Sequence, residues 1–112
     1  DYKTGQPKSR NEIEGLTKIS TGDYKRQLVF YNLLLNYYQD GKFKMVAGEI
    51  NFIEPDGRGN YKKELFDINP EEVAELEKQI KEVAKEILSL SFWDKTCNDS
   101  KCEYCKLRKM IK

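Results

Sequence analysis

Asp1 and Lys3 are two residues apart, a spacing that puts both side chains on one face of an extended strand. There a carboxylate can hold a divalent cation while the ammonium beside it orients a water or stabilises a phosphoryl oxyanion. Gln27 and Tyr31 stand at i and i+4, on one helix face, and offer an amide and a phenol that can hydrogen-bond a phosphate or brace a lysine. Each pair also has a plainer reading. Asp1 and Lys3 equally make a solvated surface pair, and Tyr31 equally a core residue beside a solvated Gln27. Cys97, Cys102 and Cys105, in the order Cys-x4-Cys-x2-Cys, could offer three thiolates to zinc or to an iron–sulfur cluster, both of which normally take four ligands. The alternative is a metal-free tail with ordinary thiols. From residue 101 onward Lys101, Lys106, Arg108, Lys109 and Lys112 face a single acid, Glu103, with Tyr104 interleaved. That suits contact with a DNA backbone, and equally a solvated basic end.

Composition removes several classes. The 112 residues contain no histidine, so Ser-His-Asp and Cys-His catalysis and His-ligated metals cannot come from this chain alone. Three cysteines, all between positions 97 and 105, do not make a secreted disulfide framework, so the expectation is an intracellular, cytoplasmic protein. No apolar run approaches the roughly 18–20 residues that cross a bilayer, and no signal segment opens the chain, so no membrane partner is expected. A net charge of +1 neither suggests nor forbids a nucleic-acid partner. No Gly-x-x-x-x-Gly-Lys-Ser/Thr loop is present. The chain opens on Asp1 rather than Met and reads as a piece of something larger.

The elements that must position these residues follow from periodicity. Residues 5–22, with Gly5, Pro7, Gly15 and Gly22, read as one long flexible loop. Asp23 is placed to cap a helix over Tyr24–Gln39, with Leu28, Tyr31, Leu34, Leu35 and Tyr38 at helical spacing and Gly41 ending it. Residues 43–54 alternate with period two and, apolar on both faces, predict an interior strand; residues 61–68 return from the turn around Gly57 and Gly59. Asn69-Pro70-Glu71-Glu72 starts a helix whose stripe, Val73, Leu76, Ile80, Val83 and Ile87, is expected to bury against the 43–54 strand. Residues 97–112 form a Cys-containing basic tail. The sum is a single mixed α/β domain, a small sheet flanked by helices.

Asp-Tyr-Lys-Thr-Gly at 1–5, a variable loop, then Gln27-Leu-x-x-Tyr31 on a helix and a closing Cys102-x-x-Cys105 resemble the RecB-like branch of the PD-(D/E)XK nuclease family. The resemblance covers essentially the whole chain in the family's order. It implies a truncated restriction-endonuclease-like core, the C-terminal portion of a nuclease domain. It also implies Asp1 and the backbone carbonyl of Tyr2 as ligands of Mg²⁺ or Mn²⁺, and Lys3, the catalytic lysine, with Gln27 and Tyr31 as the catalytic residues. Lys106, Arg108 and Lys109 are the candidate DNA contacts. The family's upstream Gly-x-x-Asp-Arg-x-Asp strand is not in this sequence, so the chain alone is expected to be an inactive fragment. Iron–sulfur members close with Cys-x2-Cys-x5-Cys; Ile111 occupies the last of those positions, and Cys97 is the candidate substitute. The implied parent hydrolyses DNA phosphodiesters, as an exonuclease or endonuclease joined to an ATP-dependent DNA helicase in repair or recombination. The alternative is a non-catalytic nucleic-acid-binding or zinc-binding interaction module. An exposed sheet edge leaves dimerisation open.

Overall fold

The structure, a computed structural model, describes residues 1–111. Lys112, the last cation of the basic tail, lies outside the described residues. The chain forms two compact units, Asp1–Gln79 and Ile80–Lys112.

The first unit is built on a three-stranded sheet in the order β1-β2-β3, with β1 at Tyr2–Lys3, β2 at Gly48–Phe52 and β3 at Lys63–Phe66. The expected interior strand is thus central but shorter than residues 43–54, and Val46, ahead of it, is exposed. Parallel pairing of β1 with β2 needs a crossover, and helices α1 (Arg10–Glu14) and α2 (Asp23–Tyr37) lie in that connection. β2 and β3 pair antiparallel through the 53–62 turn, in which the Asp56 carboxylate accepts from the amides of Arg58 and Asn60. Helix α3 runs Pro70–Leu88 and α4 Glu103–Ile111.

Alternation along β2 sends Gly48, Ile50 and Phe52 to one face, all buried, as the period predicted. There they meet Ile13 of α1, Leu28 of α2 and Phe66 of β3 to make the core. Ile13 overturns the reading of residues 5–22 as an unbroken flexible loop. Ser9 and Glu12 form a reciprocal capping box, Gly15 closes the helix at φ 78°, and Ile13 is 1% exposed. A Cβ on Gly15 would lie 2.8 Å from the backbone nitrogen of Gly22, so the two ends of the following loop touch in a way only glycine permits.

Two helix ends also differ from expectation. Gly22 rather than Asp23 is the N-cap of α2; Asp23 is already helical and accepts from Thr21 Oγ1 at 2.5 Å. The helix stops at Tyr37, and the chain turns through Gln39, Asp40 and Gly41, all at positive φ. At α3 the expected start holds: Asn69 Oδ1 accepts from the Glu72 amide at 2.8 Å, while Glu72 accepts from the Asn69 amide. Within the first unit the stripe packs on α2. Val73 is buried against Val29 and Leu33 of α2, with Ile68 and Leu76 beside it. Ile80, Val83 and Ile87 belong to the second unit and are exposed, because a stripe reports one apolar face and not what covers it.

Candidate active site

β1 is only two residues long, yet its backbone is fixed. The Asn51 amide donates to the Asp1 carbonyl at 2.9 Å and the Ile53 amide to the Lys3 carbonyl at 3.1 Å. Beyond the strand, the Gly5 amide donates to Glu54 Oε1 at 2.7 Å. Since the carbonyls of residues 1 and 3 face β2, that of Tyr2 faces the opposite way, toward the sheet's open edge. The side chains of Asp1 and Lys3 project to the face shared with Phe52, where α2 lies.

On that face Lys3 Nζ meets Asp1 Oδ2 at 2.7 Å, with the two side chains only 15% and 18% exposed. It also donates to Gln27 Oε1. With its oxygen engaged, the Gln27 amide turns its nitrogen to Tyr31, whose hydroxyl oxygen accepts at 2.7 Å. The ammonium lies 4.6 Å from the centre of the Tyr24 ring, and Lys8 Nζ lies 4.3 Å from the same ring. The residues singled out at 1, 3, 27 and 31 therefore come together as one continuous polar chain from strand to helix. Tyr31 is exposed rather than in the core.

Tyr24 and Lys8 were missed by sequence reasoning. For Tyr24 a signal existed, since Tyr24, Gln27 and Tyr31 follow at gaps of three and four and so share one helix face. Lys8 carried none, because a lysine in a polar segment has no periodicity to mark it.

The donors suit a hard cation. A carboxylate and a free-facing carbonyl are oxygen ligands, and Mg²⁺ is typically held by one or two carboxylates together with waters and phosphate oxygens. No group of three or more carboxylates gathers here among the described residues.

In the second unit the Cys97, Cys102 and Cys105 sulfurs all lie within 4.8 Å of one another, with Cys97 and Cys105 at 3.4 Å. All three are free thiols. The sulfurs differ electrostatically. Backbone donation from Cys105 and the Cys97 thiol pull the Cys102 pKa below its ordinary value. At Cys97 a backbone hydrogen bond from Asp99 favours the thiolate, but the neighbouring Cys102 and Cys105 oppose it and the net shift is upward. Three gathered sulfurs fit a soft, thiolate-seeking metal and supply three of the usual four ligands. Lys106, Arg108 and Lys109 stand on α4, apart in sequence from the Lys3 network.

A small sheet with helices in its crossover, and a lysine held beside an aspartate at the end of a short strand, define a restriction-endonuclease-like α/β fold. A family model of the PD-(D/E)XK nuclease superfamily matches residues 1–110, and the chain belongs to that superfamily. Its members are nucleases and hydrolases that generally use divalent metal ions, and a nuclease domain binds DNA. No curated protein and no solved structure matches the chain.

Proposed function

We propose that this chain carries Lys3 and Asp1 of a metal-dependent DNA phosphodiesterase site of the RecB-like type. The observation that supports it best is the sheltered Lys3 ammonium, held at once by Asp1, Gln27 and the Tyr24 ring. Asp1 and the Tyr2 carbonyl would hold Mg²⁺ or Mn²⁺. When bound, such an ion supplies an activated water and neutralises charge on the phosphate. Lys3 presents a fixed cation to the phosphoryl oxygens as they gain charge, and Gln27 sets its direction. Tyr31, whose oxygen accepts from Gln27, has its own proton to give to a substrate oxygen.

The same reading places the chain beside an ATP-dependent DNA helicase in a cytoplasmic repair or recombination enzyme. It makes the cysteine triad an iron–sulfur or zinc site completed by a ligand from elsewhere, and Lys106, Arg108 and Lys109 phosphate contacts. Two copies would pair through an exposed edge of the sheet. Among the described residues no helix is long and apolar enough to cross a membrane.

The experiment is Lys3→Ala in the natural protein that carries this chain, assayed on linear DNA with Mg²⁺ and with Mn²⁺. Cleavage should fall by about 100-fold or more while DNA binding stays within about twofold, because a positioned donor acts mainly on the transition state. Unchanged cleavage would reduce Asp-Tyr-Lys to a strand end. Elemental analysis of the same preparation, with its visible absorbance, separates iron–sulfur, zinc and metal-free cysteines.

A further inference from the structure

Lys8 stands beside the Lys3 network and is given no part in the chemistry above. Its ammonium lies 4.3 Å from the centre of the Tyr24 ring and that of Lys3 lies 4.6 Å from the same centre. The two nitrogens therefore stand no farther apart than those two distances laid end to end. We propose that Lys8 grips a DNA backbone phosphate next to the one that Lys3 faces, so that the site holds neighbouring phosphates of one strand. This inference rests on the DNA-cleaving reading of Lys3 and adds a substrate-binding residue to that site.

The two cations differ in what answers their charge. Lys3 is sheltered and pairs with the Asp1 carboxylate at 2.7 Å. Lys8 is exposed, and among the described residues no carboxylate forms an ion pair with it. The nearest acid to feel it is Glu12, whose carboxyl is held below its usual range by hydrogen bonds from Ser9 and, after those, by the Lys8 charge. Glu12 Oε2, however, accepts from the Ser9 amide and hydroxyl and so serves the start of α1. Like charges gathered at one ring repel, and the aromatic face offsets only part of that repulsion. A polyanion removes it. Successive phosphates of a DNA strand rise by about 3.4 Å per step, so a strand whose phosphate meets Lys3 brings a second one within the span of the two nitrogens.

Lys8 also projects from a backbone anchored on both flanks. Before it, the Gly5 amide is fixed by Glu54 and Pro7 restricts the chain. After it, Ser9 caps α1, whose Ile13 lies in the core. Arg10 donates to the Leu65 carbonyl at 2.9 Å and lies 4.3 Å from the centre of the Phe66 ring. With the backbone held and the ammonium already resting on Tyr24, less freedom is lost when a phosphate arrives than at a lysine on a loose segment.

The test uses the natural protein that carries this chain, with labelled single-stranded and duplex oligonucleotides. Binding is read by fluorescence anisotropy from about 50 to 200 mM NaCl, with divalent metal omitted so that no bond is cut. Lys8→Ala should flatten the plot of log affinity against log salt by about 0.7–0.9, the share of one phosphate contact. At about 0.1 M salt that slope corresponds to a roughly fivefold to eightfold loss of affinity. Lys8→Met, which keeps the stem on Tyr24 and drops the charge, should match Lys8→Ala, and Lys8→Arg should restore both slope and affinity. Lys18→Ala, at another exposed lysine before α2, should leave the slope unchanged. With Mg²⁺ added, Lys8→Ala should raise KM and keep kcat within about twofold, whereas Lys3→Ala lowers kcat. An unaltered slope in Lys8→Ala would overturn the proposal, as would wild-type binding by Lys8→Met. An equal change in Lys18→Ala would do the same, since it would show a diffuse field in place of a contact. Failure here with Lys3-dependent cleavage intact would remove the second phosphate contact and leave the nuclease reading standing. Because the slope is read without cleavage, loss of the nuclease reading would be seen separately.

Discussion

Ile13 sits in a five-residue helix within a polar, glycine-rich segment, and its replacement by alanine distinguishes an anchored segment from a loose one. The side chain is 1% exposed and touches the cluster of Leu28, Ile50, Phe52 and Phe66. Ile13→Ala deletes three carbons, forfeiting about 2.4 kcal/mol at ~0.8 kcal/mol per methylene. If the walls hold still, a cavity of roughly 80 Å³ adds about 2 kcal/mol at ~24 cal/mol per Å³. Full collapse of the walls removes the second contribution, so the expected loss is about 2.5–4.5 kcal/mol, a large fraction of a domain's typical ~5–15 kcal/mol. The assay is urea unfolding followed by far-UV circular dichroism, with amide hydrogen exchange locating the loss to α1 and β2. Ile19→Ala, at a residue 91% exposed in the same segment, is the control and should stay within about 0.5 kcal/mol. A loss below about 0.5 kcal/mol at Ile13 would mean that residues 5–22 do not enter the core.

Gly48→Ala should destabilise by about 1–3 kcal/mol in the same melts, because its Cβ would lie 2.8 Å from Met45 Cε and 2.9 Å from Leu28 Cδ1; a neutral result would show that those side chains move aside freely. Ile80→Ala, at a residue 41% exposed, should lose less than about 1 kcal/mol, and a loss above about 2 kcal/mol would reveal a covering for that stripe. With chelator present, iodoacetamide should label Cys102 before Cys97 as pH rises from neutral. The Cys102 thiol ionises below its ordinary 9.0 and that of Cys97 above it, so labelling in the reverse order, read by mass spectrometry, would contradict the assignment.

What the sequence reveals depends on whether a residue's role repeats with a backbone period. Asp1 and Lys3 at a separation of two, and Gln27 and Tyr31 at four, are fixed relative to one another by strand and helix geometry, so each pair was legible. Their meeting was legible only through family likeness, since no period links a strand to a helix across the intervening segment. Helix α1 is too short to show periodicity. Its evidence was chemical: Ser9 and Glu12 in capping-box spacing just before Ile13, hidden among Gly, Pro and Lys. Along α3, Val73 and Ile80 are equivalent in pattern, yet one meets α2 and the other is exposed. A stripe marks an apolar face and leaves open what packs on it, which periodicity does not record.

The Lys3 network gains its definition from contacts that lie outside it. A two-residue strand has few hydrogen bonds of its own and would fray at a sheet edge. Here Asn51 and Ile53 hold its carbonyls and Glu54 holds the amide of Gly5, so β2 and the residues just after it fix the backbone beneath Lys3. Across from it, Gln27 is carried by α2, whose Leu28 enters the same core as Ile50, Phe52 and Ile13. The ammonium is thus set from two sides by elements that share one hydrophobic cluster. Removing Ile13 would loosen α2 and β2 relative to each other as well as lower stability. In the catalytic role proposed for it, Lys3 acts through position and is sensitive to displacements of about 1 Å, so on that reading a core residue with no contact to substrate can govern the rate. In the natural protein, Ile13→Val should then preserve cleavage better than Ile13→Ala at temperatures where both remain folded. Equal rates would show that the site is held by the strand alone.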